Sequence, residues 1–396
     1  MNVRFETFGC RLNRAEALAM QAGFESRGWK TVNRASDADL VVVRGCSVTA
    51  RAERDCLKFI ESFKRAYPMK RLVVTGCMRM KKNEFILKDV PKNEIPTFTS
   101  RAYLKVQDGC DGKCSFCTVP RFRGAPVSVP FDETVEKARR FVEAGYHEIV
   151  VTGCNLSLYA SQGKRFPELV DALASIAPEE CRIRIGSVEP GPTLLETIEA
   201  MAGRPNVCRH LHLAVQSASN AILAAMRRPY KIRDVAWAAA EAKRLMPGIS
   251  LGCDMICGFP GESETDHNAS MAFVRRIGFV KGHVFKYSER PGTIAPGFSG
   301  QVPRDIRRKR AREMAKVIDD MRTAAAKAFV GRTVRIVVED AQNTGGWTDG
   351  HFWCAAAAKK KDESSEHLPR PGRRAFADMK VVSVSGHSLA GECIGR

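Results

Sequence analysis

The chain has 396 residues, of which 44% are apolar, and its 63 Lys and Arg against 44 Asp and Glu give a formal net charge of +19. The length predicts two or three domains, and the apolar share is that of a globular protein and not of a disordered chain. No apolar stretch reaches the roughly 18–20 residues of a membrane helix, and residues 1–7 lack a secretory signal pattern. We therefore expect a cytoplasmic protein with no membrane partner. The positive charge favours a polyanion such as nucleic acid, although a charge that only aids solubility is an equal alternative at this point.

Fourteen cysteines are a small share of the chain compared with the roughly 8–10% of a disulfide scaffold. In a large chain without a secretory signal, cysteines bind metal or do chemistry more often than they form structural bridges.

Three apolar stretches in the first hundred residues predict strands of a parallel sheet, with helical patterns between them at 15–27 and 50–66. Each stretch ends in Gly-Cys, at Cys10, Cys46 and Cys77. The carboxyl ends of parallel strands meet at one edge of a sheet and line its ligand crevice. The sequence therefore predicts an α/β domain over residues 1–95, a doubly wound parallel sheet whose three cysteines converge on a shared ligand.

From residue 101 to 300 the strand and helix patterns alternate again, and six units predict a partial (β/α)6 barrel with its active site at the carboxyl ends of the strands. Residues 301–330 predict a basic linker helix, and residues 331–396 a small all-β barrel. Gly345 and Gly346 predict a turn in this last domain, and the polar residues 359–374 predict a loop.

The sharpest motif is Cys110, Cys114 and Cys117, in a loop after the first barrel strand. Three closely spaced thiolates can hold one [4Fe–4S] cluster and leave one of its irons free for another ligand. A zinc knuckle is the alternative, but zinc sites usually add a fourth ligand nearby, and no Cys or His occurs between Cys117 and His147. The spacing therefore favours an iron–sulfur cluster.

With their surroundings, these motifs resemble the radical S-adenosylmethionine (radical SAM) superfamily and, over nearly the whole chain, the methylthiotransferases within it. The matching segments are Gly9-Cys-Arg-Leu-Asn, Gly45-Cys-Ser-Val-Thr, Thr75-Gly-Cys, Val106-Gln-Asp-Gly-Cys-Asp-Gly-Lys-Cys-Ser-Phe-Cys, Ser187-Val-Glu-Pro, His212-Leu-Ala-Val-Gln-Ser, Met226-Arg-Arg and Gly258-Phe-Pro-Gly-Glu. The run from His283 to Thr293 is most similar to the MtaB-type members, which modify N6-threonylcarbamoyladenosine in the tRNA anticodon loop. The last 65 or so residues resemble the RNA-binding TRAM barrel.

The resemblance implies two [4Fe–4S] clusters and S-adenosylmethionine as cofactors. It implies that Cys110, Cys114 and Cys117 hold the cluster that binds S-adenosylmethionine and cleaves it to a 5′-deoxyadenosyl radical. It implies an auxiliary cluster on Cys10, Cys46 and Cys77 that carries the sulfur to be inserted. No catalytic residue is assigned beyond these ligands. The residues expected to contact S-adenosylmethionine, from their places beside the motif or at strand ends, are Phe116, Gly153, Glu189 and Gln216.

The implied partners are the anticodon loop of tRNA as substrate and an electron donor such as flavodoxin or ferredoxin, for a chain expected to be a monomer. The same chemistry on N6-isopentenyladenosine in tRNA or on a ribosomal-protein aspartate is an alternative. A metal-stabilised RNA-binding protein without catalysis is an alternative of another class.

The sequence also predicts roles for several residues outside these motifs. His210 and His212 are expected to make ordinary hydrogen bonds, and Cys354 and Cys393 to be structural or free. The other cysteines outside the two sets are expected to pack in the core, namely Cys56, Cys154, Cys181, Cys208, Cys253 and Cys257. Trp347 and Phe352 suit either RNA stacking or the core of a small barrel. The basic segment 304–312 is expected to contact RNA phosphates.

Overall fold

The computed structural model describes residues 1–78, 99–339, 345–357 and 375–395. The first domain is a parallel sheet with strand order β2-β1-β3-β4 and a helix after each of two strands. Its elements are β1 Asn2–Thr7, α1 Arg11–Glu25, β2 Lys30–Thr31, β3 Leu40–Gly45, α2 Ala50–Ala66 and β4 Arg71–Gly76.

The central strand β3 is buried along its whole length because it is covered on both faces, as its unbroken apolar run requires. One face packs on α1 through Met20 and Phe24, and the other on α2 through Ile60 and Phe63. Thr49 caps α2 by accepting a hydrogen bond from the amide of Ala52 at 3.3 Å. The predicted parallel α/β sheet is confirmed for residues 1–78.

The central domain is an open barrel of parallel strands in the order β5-β8-β11, continued by β12-β13-β14-β15. The barrel strands are β5 Ala102–Lys105, β8 Glu148–Thr152, β11 Arg182–Ile185, β12 Ser187–Val188, β13 His210–Gln216, β14 Ser250–Cys257 and β15 Phe279–Lys286. Short antiparallel pairs join β6 Gln107–Asp108 to β7 Val127–Ser128 and β9 Ala160–Ser161 to β10 Lys164–Arg165. The helices are α3 Val119–Arg123, α4 Phe131–Glu143, α5 Phe166–Ile176, α6 Leu194–Ala202, α7 Asn220–Ala225, α8 Ile232–Leu245 and α9 Glu264–Ile277. Because β11 and β12 are separated only by Gly186 and belong to one unit, these seven strands form six units, and the predicted partial barrel is confirmed.

Helix α1 of the first domain covers part of the barrel's inner face. Ala15 and Leu18 of α1 pack against Tyr103 and Val150, which point inward from β5 and β8. Lys105 of β5 forms an ion pair with Glu16 at 2.6 Å. The edge of the first sheet that carries its cysteines is thereby brought against the barrel.

Helix α10 Arg304–Lys327 follows the barrel and packs along β15 through Ile318. The last domain is a closed barrel with strand order β16-β17-β18-β20-β19. Its strands are β16 Thr333–Val338, β17 Gly345–Thr348, β18 Trp353–Ala356, β19 Phe376–Ser385 and β20 Ser388–Gly395. Among the helices of the described ranges, none has the length and apolar character needed to cross a membrane.

The prediction of a turn at Gly345 and Gly346 is wrong, because both residues lie in strand β17. A Cβ on Gly345 would lie 2.6 Å from the Trp353 ring, and one on Gly346 would lie 2.1 Å from the Val337 carbonyl oxygen. These glycines allow close strand approach instead of reversing the chain. The predicted loop at 359–374 lies outside the described residues.

The loop between β17 and β18 closes the amino-terminal end of the central barrel. Arg182 donates to the Trp347 carbonyl at 2.7 Å, and Arg184 donates to the carbonyls of Thr348 and Asp349 at 2.8 and 2.9 Å. Both arginines also bind Glu148, which is fully buried. Burial would raise the pKa of Glu148, but Arg184 and Arg182 beside it hold that pKa well below its usual range. The carboxylate therefore stays charged and holds together the amino-terminal end of the barrel, which we call its floor.

Candidate functional site

The three cysteines of the first domain follow the ends of β1, β3 and β4, where parallel strands converge. Cys10 is exposed, whereas Cys46 and Cys77 are buried. Gly9, at φ +96°, lies so close to Cys46 that a Cβ on Gly9 would be 2.7 Å from the Cys46 Sγ. This position needs glycine both for its left-handed backbone and for the room it leaves around the sulfur.

The barrel cysteines lie in the loop between β6 and α3. Backbone amides donate to two of the sulfurs: Gly112 to Cys110 at 3.3 Å and Val119 to Cys117 at 3.4 Å. A Cβ on Gly112 would lie 3.2 Å from the Cys110 Sγ and 3.7 Å from the Cys114 Sγ. Gly112 thus leaves space beside the sulfurs of Cys110 and Cys114. Burial raises the pKa of the Cys117 thiol to about 11.

Arg123, the last residue of α3, contacts one cysteine set and a residue close to the other. Its Nε donates to the Cys77 Sγ at 3.2 Å, and its Nη2 donates to the Asn13 Oδ1 at 2.7 Å. Its Nη1 also pairs with Glu16 at 3.1 Å and with Asp108 at 2.9 Å. Because Asp108 lies two residues before Cys110, one guanidinium spans the interface from one cysteine set to the edge of the other.

A second arginine contacts the barrel set. Arg228 Nη1 donates to the Cys114 Sγ at 3.0 Å, and its Nη2 pairs with Glu189 Oε1 at 2.5 Å. The other Glu189 oxygen accepts from Asn155 Nδ2 at 2.5 Å. A polar group of Arg228, Glu189 and Asn155 therefore lies beside the cysteine loop, at the carboxyl ends of the barrel strands.

The other residues expected to contact S-adenosylmethionine lie at the same end of the barrel. Gly153 follows β8, and a Cβ there would lie 3.1 Å from the Gln107 side chain. Gln216 ends β13 at φ +67°, a left-handed conformation that is uncommon outside glycine and often marks a functional position. Phe116 is half-buried and meets Phe259 edge-on at 6.3 Å between ring centroids.

Both cysteine sets suit thiolates that bind an iron–sulfur cluster. Arginine and backbone N–H groups aimed at sulfur stabilise thiolates, and such outer hydrogen bonds orient and tune cluster ligands. The glycines at positions 9 and 112 leave space beside the sulfurs that a Cβ would fill. The type of donor and the space beside the sulfurs are therefore suited to ligands of an iron–sulfur cluster.

The interior of the barrel holds polar residues below the cysteine loop. Asp254 Oδ1 accepts from His212 Nε2 at 3.0 Å and from His283 Nδ1 at 2.9 Å, and Ser187 Oγ donates to Asp254 Oδ2 at 3.2 Å. Burial would raise the pKa of Asp254, but His212 and His283 lower it well below its usual range. His212 and His210 thus make the hydrogen bonds expected of them, the latter with Ser250 Oγ at 2.8 Å.

The other cysteines and the aromatic residues singled out in the sequence lie mostly in packed positions. Cys154 is half-buried and donates to Asp108 Oδ1 at 3.3 Å, and burial raises its pKa to about 12. Phe352 lies in the core of the small barrel, which excludes it as an RNA-stacking platform. Trp347 packs against Trp353 and Lys281 instead of facing outward. The other cysteines expected in the core are buried, namely Cys56, Cys181, Cys208, Cys253 and Cys257.

The sequence did not reveal the polar residues that hold the site together. They are Asn13, Asp108, Arg123, Asn155, Arg228, Asp254 and His283. Asn13, Asp108, Arg228 and His283 lie within the quoted motifs, and this was the available signal. Arg123 carried no such signal, because its partners come from another domain.

Two family models match the chain. The radical SAM superfamily matches residues 104–274, and the family described as uncharacterized protein family UPF0004 matches residues 2–96. The two matches fall on the barrel and on the first domain, with one cysteine set in each.

The matches to curated relatives cover most of this chain and most of each relative. The tRNA-2-methylthio-N(6)-dimethylallyladenosine synthase of Cereibacter sphaeroides strain ATCC 17025 is 30% identical over 98% of both chains. The threonylcarbamoyladenosine tRNA methylthiotransferase MtaB of Thermotoga maritima is 29% identical over 85% of this chain and 86% of its own. MtaB of Bacillus subtilis is 29% identical over 86% and 85%.

The fold is shared with a solved radical SAM methyltransferase. TsrM from Kitasatospora setae, with tryptophan and a SAM analogue bound, is 11% identical with a TM-score of 0.53 over 72% of each chain. The family implies S-adenosylmethionine and [4Fe–4S] clusters as cofactors, in agreement with the donor sets described above. With 30% identity over nearly its whole length to a curated member, the chain belongs to the radical SAM tRNA methylthiotransferase family.

Proposed function

We propose that this chain methylthiolates C2 of N6-threonylcarbamoyladenosine at position 37 of tRNA, giving 2-methylthio-N6-threonylcarbamoyladenosine. The observation that carries the proposal is the presence of one cysteine set on each of two domains, at an interface where Arg123 of the barrel donates to Cys77 and pairs with Asp108, two residues before Cys110. The MtaB relatives from three bacteria support the threonylcarbamoyl substrate. Relatives named for the dimethylallyl nucleoside support the same chemistry on another adenosine.

In this proposal Cys110, Cys114 and Cys117 hold one cluster, and Cys10, Cys46 and Cys77 hold the auxiliary cluster. When bound, the cofactors supply an open iron for S-adenosylmethionine, radical chemistry and the sulfur and methyl groups that are transferred. An aromatic C–H bond has no proton with a useful pKa, so side-chain acid–base catalysis is poorly suited to this position.

The chain's own residues position the reactants. Glu189, held by Arg228 and Asn155, offers a fixed carboxylate beside the barrel cysteines, where a cationic part of S-adenosylmethionine would bind. Phe116, packed on Phe259, gives the same region an apolar surface suited to an adenine ring. Gly153 and Gln216 are proposed contacts at the neighbouring strand ends. Helix α1 covers part of the inner face of the barrel and limits entry of water there.

The domain roles follow the same proposal. Residues 1–95 form the auxiliary-cluster domain, 101–300 the radical SAM core, 301–330 the basic linker helix and 331–396 the TRAM-like RNA-binding domain. The chain acts in the cytoplasm as a monomer, with an electron donor such as flavodoxin or ferredoxin. Its RNA contact is the anticodon loop of tRNA.

Iron analysis tests the assignment of the two sets. Two four-iron clusters require about 8 Fe per chain after anaerobic reconstitution. We expect Cys114→Ala and Cys46→Ala each to lower this to about 4 Fe. Cys154→Ala is the matched control, because Cys154 lies beside both sets and is assigned to neither; it should keep the full iron content. Zinc without iron, or full iron in both cluster variants, would contradict the assignment.

Nucleoside analysis tests the substrate. In cells that lack this gene and any paralogue, we expect 2-methylthio-N6-threonylcarbamoyladenosine to disappear from tRNA and its unmethylthiolated precursor to accumulate. Loss of the 2-methylthio-isopentenyl nucleoside instead, or of methylthioaspartate from a ribosomal protein, would move the same chemistry to that target.

A further inference from the structure

Two cations meet around one imidazole at the floor of the barrel. Arg11, the first residue of α1, places Nη2 2.9 Å from His351 Nε2. Lys281 of β15 places Nζ 3.3 Å from His351 Nδ1 and lies 5.2 Å from the centre of the Trp347 ring. Three parts of the chain therefore contribute: the first domain, the central barrel and the loop of the small barrel.

Neither cation has a carboxylate partner within 4 Å in the ranges that the structure describes. The neighbouring Arg101 and Arg184, in contrast, both pair with Glu148. Burial, together with the nearby charges of Arg11 and Arg322, lowers the pKa of Lys281 to about 7. The floor of the barrel is thus short of negative charge at this position.

His351 cannot satisfy both cations. A neutral imidazole has one N–H and one lone pair, so it accepts a hydrogen bond at only one nitrogen. Protonating it would add a third positive charge, and burial holds the pKa of His351 well below its usual range. With Arg11 and Lys281 both charged, one of them faces an N–H group and lacks an acceptor. An anion that reaches both would supply it.

Lys281 lies near the amino-terminal end of β15, and the inner face of this strand leads from there toward the carboxyl ends of the barrel strands, where the proposed reaction site lies. Lys281, His283 and Phe285 alternate along β15 toward the barrel interior, whereas a Cβ on Gly282 would meet Ile318 of α10. Lys281 is only partly buried, and His283 two residues on is half-exposed. Arg11 directly follows Cys10, a proposed ligand of the auxiliary cluster.

We propose that Arg11 and Lys281 bind the carboxylate of the threonylcarbamoyl group, so that they select this nucleoside over an isopentenyl one. The inference rests on the proposed function and names the residues that set its substrate. The threonyl group ends in a carboxylate, which pairs with two cations through charge-assisted hydrogen bonds. An isopentenyl group is apolar and would leave both cations buried without a partner, which is unfavourable.

The test is binding of anticodon stem-loop RNA to the anaerobically reconstituted full-length enzyme. One RNA carries N6-threonylcarbamoyladenosine, and the other carries the same nucleoside with its carboxylate converted to the primary amide. Because the two RNAs have the same phosphates, a difference reports the carboxylate and not backbone binding. We expect wild type to bind the acid about 10- to 100-fold more tightly than the amide.

Lys281→Met should reduce this preference to within about threefold, and Lys281→Arg should retain most of it because the charge is kept. Arg11→Met should reduce it similarly, provided that its iron content equals that of wild type. Lys164→Met, which removes an exposed lysine on β10, is the matched control and should keep the preference.

Equal wild-type binding of acid and amide would overturn the inference, as would a Lys281→Met variant that keeps the full preference. Conversion of the isopentenyl RNA alone would instead overturn the proposed function. Conversion of the threonylcarbamoyl RNA without discrimination between acid and amide would overturn only the carboxylate site.

Discussion

The Nε of Arg123, in the barrel, donates to the Sγ of Cys77, in the first domain, at 3.2 Å. This contact carries a positive charge and an N–H donor from one domain to a proposed cluster ligand of the other. The same guanidinium pairs with Glu16 and Asp108, which fixes its orientation from both sides. The domain interface therefore takes part in the environment of the auxiliary cysteine set.

Arg123→Gln should make the reduction potential of the auxiliary cluster more negative, on the order of tens of millivolts. Reduction adds negative charge to the cluster, and loss of the guanidinium removes a group that stabilises that charge. The potential is measured by redox titration followed by electron paramagnetic resonance. Arg121→Gln is the matched control, since Arg121 is exposed and donates to the Pro291 carbonyl. An unchanged potential in Arg123→Gln would contradict this role.

Glu148→Gln should destabilise the fold by about 3–5 kcal/mol. The carboxylate is fully buried and lies 3.5, 2.6 and 2.7 Å from Arg101, Arg182 and Arg184, so its neutralisation leaves three cations with less compensation. Chemical denaturation measures the free energy of unfolding.

The matched control for Glu148 is Glu136→Gln. Glu136 forms an exposed ion pair with Arg139 at 3.5 Å, and such pairs contribute about 0–1 kcal/mol. A loss below about 1 kcal/mol in Glu148→Gln would show that the floor of the barrel does not depend on this carboxylate.

Lys281→Met should stabilise the protein by about 1 kcal/mol or more at pH 7 and below, although it weakens substrate selection. The pKa of Lys281 is lowered by burial to about 7 from the ordinary value of 10.5. Between these values the unfolded chain binds more protons than the folded one, so wild-type stability rises with pH. The advantage of Lys281→Met should therefore shrink from pH 7 to pH 10 and vanish above about pH 10.5.

Thermal unfolding of wild type and Lys281→Met across that pH range checks the sign. Lys281→Arg should bring no gain, because the charge stays buried. Two results would contradict the view that Lys281 carries a buried charge without a partner. One is a Lys281→Met variant less stable than wild type, and the other is a stability difference between the two proteins that does not depend on pH.

The basic segment of α10 presents only some of its cations to solvent. Arg304, Arg308 and Arg312 are exposed, whereas Arg307 pairs with Glu289 inside the fold. Changing the three exposed arginines to Glu should weaken tRNA binding. The slope of log K against log salt should fall by about 0.7–0.9 for each phosphate contact that is lost.

Charge reversals on the outer surface of the barrel provide the comparison. Arg139→Glu, Lys164→Glu and Arg244→Glu change the same number of exposed cations and should leave the salt slope unaltered. Equal tRNA affinity in wild type and the α10 triple variant would exclude the linker helix from the RNA interface.

The sequence allowed prediction of features that depend on neighbouring residues or on a sheet edge. Gly-Cys at the ends of β1, β3 and β4 predicted convergence because parallel strands must end together. The two glycines of β17 misled the prediction because glycine serves close strand packing as well as turns. The pattern of a single segment does not distinguish these uses.

Contacts between domains were beyond prediction from the sequence. Arg11 and His351 are 340 positions apart, and their approach depends on how α1 and the small barrel dock on the central barrel. Arg123 has no recognisable motif around it, yet it contacts Cys77, Asn13 and Glu16 in the first domain. Such residues are found only when the three domains are seen together.

The most direct test of the whole account is nucleoside mass spectrometry after reaction of the reconstituted enzyme. The anaerobic reaction contains S-adenosylmethionine, a chemical reductant and an anticodon stem-loop with either N6-threonylcarbamoyladenosine or N6-isopentenyladenosine at position 37. We expect 2-methylthio-N6-threonylcarbamoyladenosine from the first RNA and little or no product from the second. Methylthiolation of the isopentenyl RNA alone, or of neither RNA by enzyme with its full iron content, would contradict it.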